Sequence, residues 1–302
     1  MGRLYLAGTG ILALAAAVFC GKEDKRRTAF AMLAAFAASI AASALIGFSV
    51  LWADMGSLTA AAQWFAENGA QHSAVAGSIA FALTMLRLTG SEKSDRFAPL
   101  FFLLLAALRC QEADFPPAGL GPALDGFPQA CSLLTARDAY GDPCLAVYRL
   151  EAAAAMLCAL AAAVQRRKGR PVLFQMACRL AAWQIFFENL LASTLMIGFV
   201  RTEQILCLLV LLTAVFPGTG MRKKPGARGR VALIAAMGAA HGLLQFLMDK
   251  PYLIAEAAAH TDEGFDRVAA AVPTVCHTVA ALLSIIMGEI AARTGRRNAE
   301  EE

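Results

Sequence analysis

Apolar blocks of 13 to 25 residues recur along this 302-residue chain, and they leave it one kind of fold. They fall at about 4–20, 28–52, 72–88, 98–110, 146–164, 172–191, 204–216, 231–248 and 268–292. Blocks of this length suit membrane helices, whose backbone groups are satisfied within the segment, and do not suit the alternating strands of a barrel. The chain is 58% hydrophobic with a mean hydropathy of +0.56. Only 17% of residues are charged, against about 25% in soluble domains. The expected fold class is therefore all-α, a polytopic transmembrane helical bundle of about seven to nine helices making one integral membrane domain over residues 1–302. The first block ends in Ala-Ala-Val-Phe-Cys at Cys20, as a lipoprotein cleavage site would. Phe19 is too bulky for the position before the cut, and the basic cluster from Lys22 to Arg27 holds that end in the cytoplasm, so the block reads as a retained helix.

The basic residues orient the bundle. With the N-terminus outside, the inner connections are Lys22–Arg27, Arg87–Arg96, Arg166–Arg170, Arg222–Arg230 and Arg293–Arg297, and these hold most of the 27 Lys and Arg. This is the positive-inside pattern for an N-out, C-in chain. The net charge of +4 resides in those loops and calls for no nucleic-acid partner. On the outer side, Gln111–Leu145 is long and rich in Pro and Gly, and such loops are usually functional or disordered. It contains Cys131 and Cys144, which pair only in an oxidising compartment; the other six cysteines sit in or beside helices as small apolar fillers. No spacing suggests a metal site.

The block around PVLFQMACRLAAWQIFFENLLASTLMIGFVRTEQ, from Pro171 to Gln204, carries Arg179, Gln184 and Glu188 at membrane depth. A charge there costs a few kcal/mol or more, so such groups face the inside of a bundle. Gln184 and Glu188 are four residues apart and share a face, with Arg179 on the opposite side, so Glu188 needs a cation from another helix. Depths counted from the 1.5 Å helical rise put His72, Arg109, Glu151 and Glu188 in one layer, the outer half of the membrane. Arg109 is thus the first candidate to face Glu188, and Arg149 the second. Plainer readings stand beside these. A buried Arg–Glu pair is more often structural than catalytic, and His72 at a helix entrance suits an interface. Glu151 near the outer end of its helix complements the dipole, and Trp52, Trp64 and Tyr140 suit an aromatic belt.

Five segments then line up with one family. NGAQHSAVAGSIAFALTMLRLTGSEK has a His before a small-residue helix start, and LAALRCQE holds Arg109 and Glu112. AVYRLEAAAAM holds Tyr148 and Glu151, RLAAWQIFFENLL holds Gln184 and Glu188, and IGFVRTEQILCLLVLL holds Gly198 and Gln204. In this order, over about Asn68 to Phe216, they resemble prolipoprotein diacylglyceryl transferase, the bacterial membrane enzyme that moves a diacylglyceryl group from phosphatidylglycerol to a lipoprotein cysteine. Ser73 and Ala74 stand at the family's Gly-Gly, and Gln184 and Leu191 at two of its arginines.

The resemblance implies a transferase-like core over 68–216, followed by a basic inner loop and two C-terminal helices over 217–302. It implies catalytic roles for His72, Arg109 and Glu188, and substrate contacts from Gln184, Glu151, Tyr148, Glu112 and Gln204. The substrates would be phosphatidylglycerol and a lipoprotein signal peptide, with neither cofactor nor metal, in the bacterial cytoplasmic (inner) membrane as a multi-pass protein. Neutral His72 would take the proton of the cysteine, whose thiolate is the nucleophile, and Arg109 would fork onto the phosphate. Two other classes fit a polar layer: a lipid- or partner-binding membrane protein of the same fold without the chemistry, and a small-solute transporter. The transporter ranks last, because the layer lies off the midplane and no inverted repeat is evident.

Overall fold

The computed structural model describes residues 25–68, 73–111, 119–123, 133–138, 140–166, 172–191, 196–197, 200–215, 226–258 and 262–300. The apolar block at 4–20, His72, Glu112 and Cys131 lie outside them. Within them the chain is all-α, with ten helices and two small sheets. Four helices are long and apolar enough to cross a membrane: Arg26–Met55, Val147–Arg166, Arg228–Asp249 and Gly264–Thr294. They coincide with the expected blocks at 28–52, 146–164, 231–248 and 268–292, and they make this a helical membrane protein. Ala74–Thr89 and Thr202–Val215 are apolar but shorter. The chain forms two compact units, residues 1–176 with 190–206, and residues 177–189 with 207–302.

The first unit begins with α1 (Lys25–Met55), the short α2 (Leu58–Asn68), α3 (Ala74–Thr89) and α4 (Ser91–Gln111). Helix α1 packs along α3, and α3 along α4, over Met32, Ala35, Phe81 and Met85. Phe81 takes the edge of Phe36 at 5.3 Å and stacks on Phe101 at 5.6 Å. Gly77 lets α1 and α3 approach, since a Cβ there would stand 2.9 Å from Ser39 Oγ. Helix α3 starts at the Ser73 cap, whose Oγ accepts from the Ala76 N–H at 3.0 Å, and stops at Gly90 with φ of 82°.

Helix α4 starts seven residues before the expected block at 98–110 and runs through Pro99. Its polar first turns have a structural use. Asp95 Oδ1 accepts the N–H groups of Val172 and Leu173 at 3.0 and 2.8 Å, capping a helix that begins 78 residues later. Those N–H groups have no partner inside their own helix, so a carboxylate from elsewhere serves as the cap. Arg166 Nη1 donates to the Arg96 carbonyl at 3.1 Å beside it.

The segment expected as a long outer loop contains a three-stranded antiparallel sheet of order β1-β3-β2. Its strands are β1 (Leu120–Ala123), β2 (Thr135–Arg137) and β3 (Pro143–Ala146). Ala136 faces Cys144 and Arg137 faces Pro143 in one pair, and Leu120 faces Ala146 in the other. Cys144 and Ala146 turn inward with Leu120 and Tyr148 into a small core. Strand β3 passes directly into α5 (Val147–Arg166), which packs along α4. Gly121 is obligatory here in a steric sense: a Cβ would lie 2.7 Å from the Leu190 carbonyl oxygen. The unit closes with the ends of α6 (Leu173–Leu190), a hairpin of β4 (Met196–Ile197) and β5 (Val200–Arg201), and the start of α7 (Thr202–Val215).

The second unit holds the middle of α6, the rest of α7, α8 (Ala227–Asp249), α9 (Pro251–Ala258) and α10 (Asp262–Glu300). Helices α8 and α9 both pack on α10. Proline opens α9 at its first position, where its missing N–H would have no partner anyway. Gly288 of α10 brings that helix against α6, where a Cβ would meet Ala182 Cβ at 3.0 Å. Arg179 is paired in this unit with Glu289 of α10, Nε to Oε1 at 2.7 Å, and Arg293 Nε donates to the other oxygen at 3.4 Å.

Candidate functional site

In the first unit, the last turn of α4 delivers Arg109 to a carboxylate on the helix it packs against. Arg109 Nε lies 3.4 Å from Glu151 Oε2, with side-chain exposures of 12% and 1%. Glu151 is the fifth residue of α5 and faces inward with Tyr148 and Ala152. A second carboxylate comes from the first turn of α7, where Glu203 Oε2 stands 4.0 Å from Arg109 Nη2. The two oxygens of Glu203 also lie 3.4 and 3.3 Å from the Val75 N–H, in the first turn of α3. One carboxylate therefore serves a guanidinium and a helix N-terminus together, two positive centres of different origin.

Four elements thus converge: α3, α4, α5 and α7. Beside them, Arg201 Nη1 donates to the Leu191 carbonyl at 2.9 Å, tying the β4–β5 hairpin to the end of α6. Gln204 is buried next to Glu203. Tyr148 is buried as well. Its N–H donates to the Gly119 carbonyl at 3.0 Å, and its hydroxyl accepts from Arg149 Nε at 3.0 Å. Arg149 also reaches the carbonyls of Leu133 and Thr135, both at 3.1 Å, so its task is to fasten the three-stranded sheet to α5.

In the second unit, Gln184 Nε2 donates to Glu188 Oε1 at 3.0 Å, the shared-face bond expected from their spacing. Farther along α6, Asn189 lies 3.4 Å from His241 Nδ1, and His241 Nε2 lies 3.1 Å from Ser284 Oγ. This buried clasp joins three helices and occupies both ring nitrogens, which suits a structural histidine.

Of the expected site residues, Arg109, Glu151, Tyr148 and Gln204 fall in the first unit, and Gln184 and Glu188 in the second. His72 and Glu112 lie outside the described residues. In its own unit Arg109 meets Glu151 and Glu203; Glu188, which matching depth puts first, belongs to the other unit. The packing of α5 on α4 brings Glu151 to Arg109. Glu203 and Glu289 are functional or structural acids that the sequence reading passed over. The signal for Glu203 was its place in the first turn of a helix, where an acid is favoured. For Glu289 it was a lone carboxylate within an otherwise apolar span.

On the three-stranded sheet, the Cys144 thiol is pushed above the ordinary thiol range, chiefly by burial and further by the Asp138 and Asp142 carboxylates. Among the described residues, no three His, Cys, Asp or Glu side chains gather at metal-ligand distances. No protein-family model, curated protein or solved structure matches this chain.

Proposed function

We propose that this chain is a diacylglyceryl transferase of the prolipoprotein type, acting in the bacterial inner membrane as a multi-pass, N-out and C-in protein. The observation that carries the reading is Glu203, which bridges Arg109 and the start of α3. His72 precedes that helix start by two residues in sequence. A phosphate-binding arginine on α4 would thereby be held in register with the start of α3 by one side chain. In this reading Arg109 takes a phosphate oxygen of phosphatidylglycerol, and Glu151 and Glu203 set the plane of its guanidinium. His72 takes the proton of the lipoprotein cysteine. The sulfur then forms its bond to the glyceryl carbon as the carbon–oxygen bond to phosphate breaks, and glycerol phosphate leaves. Substrate contacts are assigned to Tyr148 and Gln204 of the first unit and, from the resemblance in sequence, to Glu112, Gln184 and Glu188.

A second reading has its own support: Arg109 already faces two carboxylates, so its charge is more than balanced before any phosphate arrives. That favours a lipid- or partner-binding protein of the same fold, without turnover. Complementation of a transferase-depleted bacterium, read by lipoprotein modification, tests both. Rescue by the parent, with loss of about a hundredfold or more in His72→Gln, is the result expected of an enzyme using a general base. Failure of the parent to rescue, with phosphatidylglycerol retained on purification, would establish the second reading.

A further inference from the structure

We infer that the outer sheet lies on the bilayer, with Leu133, Leu134 and Tyr140 as its anchor in the headgroup layer. The inference needs only that α5 crosses the membrane, and it is independent of any transferase activity.

Helix α5 has 20 residues, about 30 Å at the helical rise, which is the hydrocarbon thickness. One end of α5 therefore marks a hydrocarbon boundary at Val147, and whatever is bonded to its first turn shares that level. Leu133 is bonded there: its carbonyl accepts from Arg149, the third residue of α5, at 3.1 Å. Leu134 is bonded one residue before that turn, its carbonyl accepting from the N–H of Ala146, the last residue of β3, at 2.8 Å. Yet the two side chains point away from the protein, with Leu133 82% and Leu134 38% exposed. Two leucines clamped by their backbones at the membrane boundary, with their side chains outward, have acyl chains as their natural neighbours.

The turn beyond them is built for the same surface. Asp138 Oδ1 accepts the N–H groups of Tyr140 and Asp142, both at 2.9 Å, and Arg137 Nη1 donates to the Gly141 carbonyl at 2.8 Å. Gly141 takes φ of 91°, a conformation that costs a side chain. These contacts close the turn, and its aromatic ring takes no part in them: Tyr140 is 92% exposed. From Ala146 to Pro143 is three residues, about 10 Å at the strand rise. The headgroup layer is about 5–7 Å deep on each side, so a sheet leaning over the bilayer keeps Tyr140 within it. A ring with a polar tip is the side chain that this layer favours. The Asp138 carboxylate is turned to the backbone of the turn, which lessens the repulsion of the anchor with anionic lipid.

The test uses the full chain in liposomes of phosphatidylethanolamine and phosphatidylglycerol brominated near the carbonyl end of the acyl chains. Leu133→Trp, Leu134→Trp and Tyr140→Trp each add one indole to the three of the parent, whose signal is subtracted. The substitutions sit at outward positions, and equal gel-filtration profiles verify folding. The expected emission of each added indole is blue-shifted, loses about half its intensity to bromine, and resists iodide in the water, as an interfacial aromatic should. Emission at the long wavelength of a hydrated indole, quenched by iodide and indifferent to bromine at all three sites, would overturn the inference. So would a shift that arises only when an apolar signal peptide is added, since the surface would then belong to a peptide and not to the lipid.

Discussion

Arg109 Nε stands 3.4 Å from Glu151 Oε2 across the α4–α5 contact, and both groups are shielded from solvent. Removing Arg109 alone leaves Glu151 and Glu203 buried together without that cation, a loss on the order of 3–5 kcal/mol. Arg109→Ala should therefore lower the melting temperature in detergent more than Glu203→Ala, whose ion pair is longer at 4.0 Å. The double variant Arg109→Ala, Glu151→Ala should be milder than the sum of its parts by about 1–3 kcal/mol. Strict additivity would mean that the two groups do not sense each other.

The steric argument at Gly121 makes a contrasting pair with Gly238. A Cβ at 121 would meet the Leu190 carbonyl oxygen at 2.7 Å, and backbone cannot step aside. At 238 the obstacle is the end of the Leu208 side chain, at 2.6 Å, which has other rotamers. Gly121→Ala should cost about 1–3 kcal/mol, and Gly238→Ala less than about 1. Melting curves of the two variants giving equal shifts would contradict this.

In the reduced protein, Cys144 should resist alkylation. Burial and the carboxylates of Asp138 and Asp142 raise its pKa, so at a given pH less thiolate is present than in a free cysteine. The sign for stability follows: the raised value favours the native state at and below neutral pH, and the contribution fades as pH climbs through the folded pKa. Mass spectrometry after iodoacetamide treatment at pH 8 should show Cys110, which is exposed, modified well before Cys144. The order should vanish in denaturant.

For the orientation, a periplasmic reporter fused after Gly126 should be active and one fused after Lys224 silent, as the positive-inside pattern requires. The reverse pair of results would turn the outer sheet and the Arg109 cluster toward the cytoplasm.

Much of the fold was legible because long apolar runs admit few alternatives: all four spans match blocks seen in the sequence. The Gln184–Glu188 bond was legible for a similar reason, since the helical period alone brings them together. The charged start of α4 was hidden, because its helicity serves a cap 77 residues away that no local pattern reveals. The short α2 and α9 were hidden behind apolar content too brief to register as blocks. The sheet escaped notice since strands of three and four residues show at most one alternation. For the site, the presence of a buried arginine implied a carboxylate, but its identity depends on helix neighbours. That is a long-range property, and Glu203 was accordingly missed.

The contact between Gly121 and the Leu190 carbonyl also sets a timetable for biogenesis. Strand β1 leaves the ribosome 69 residues ahead of the backbone it rests on, a lag of about 3–14 s at ordinary synthesis rates. During that interval α5 and most of α6 have yet to be made, so the three-stranded sheet waits without the backbone it rests on. Its last seat becomes available only when the end of α6 arrives. Slowing translation between α5 and α6 should then lengthen the time for which proteases can cut the outer segment, while leaving the finished protein unchanged.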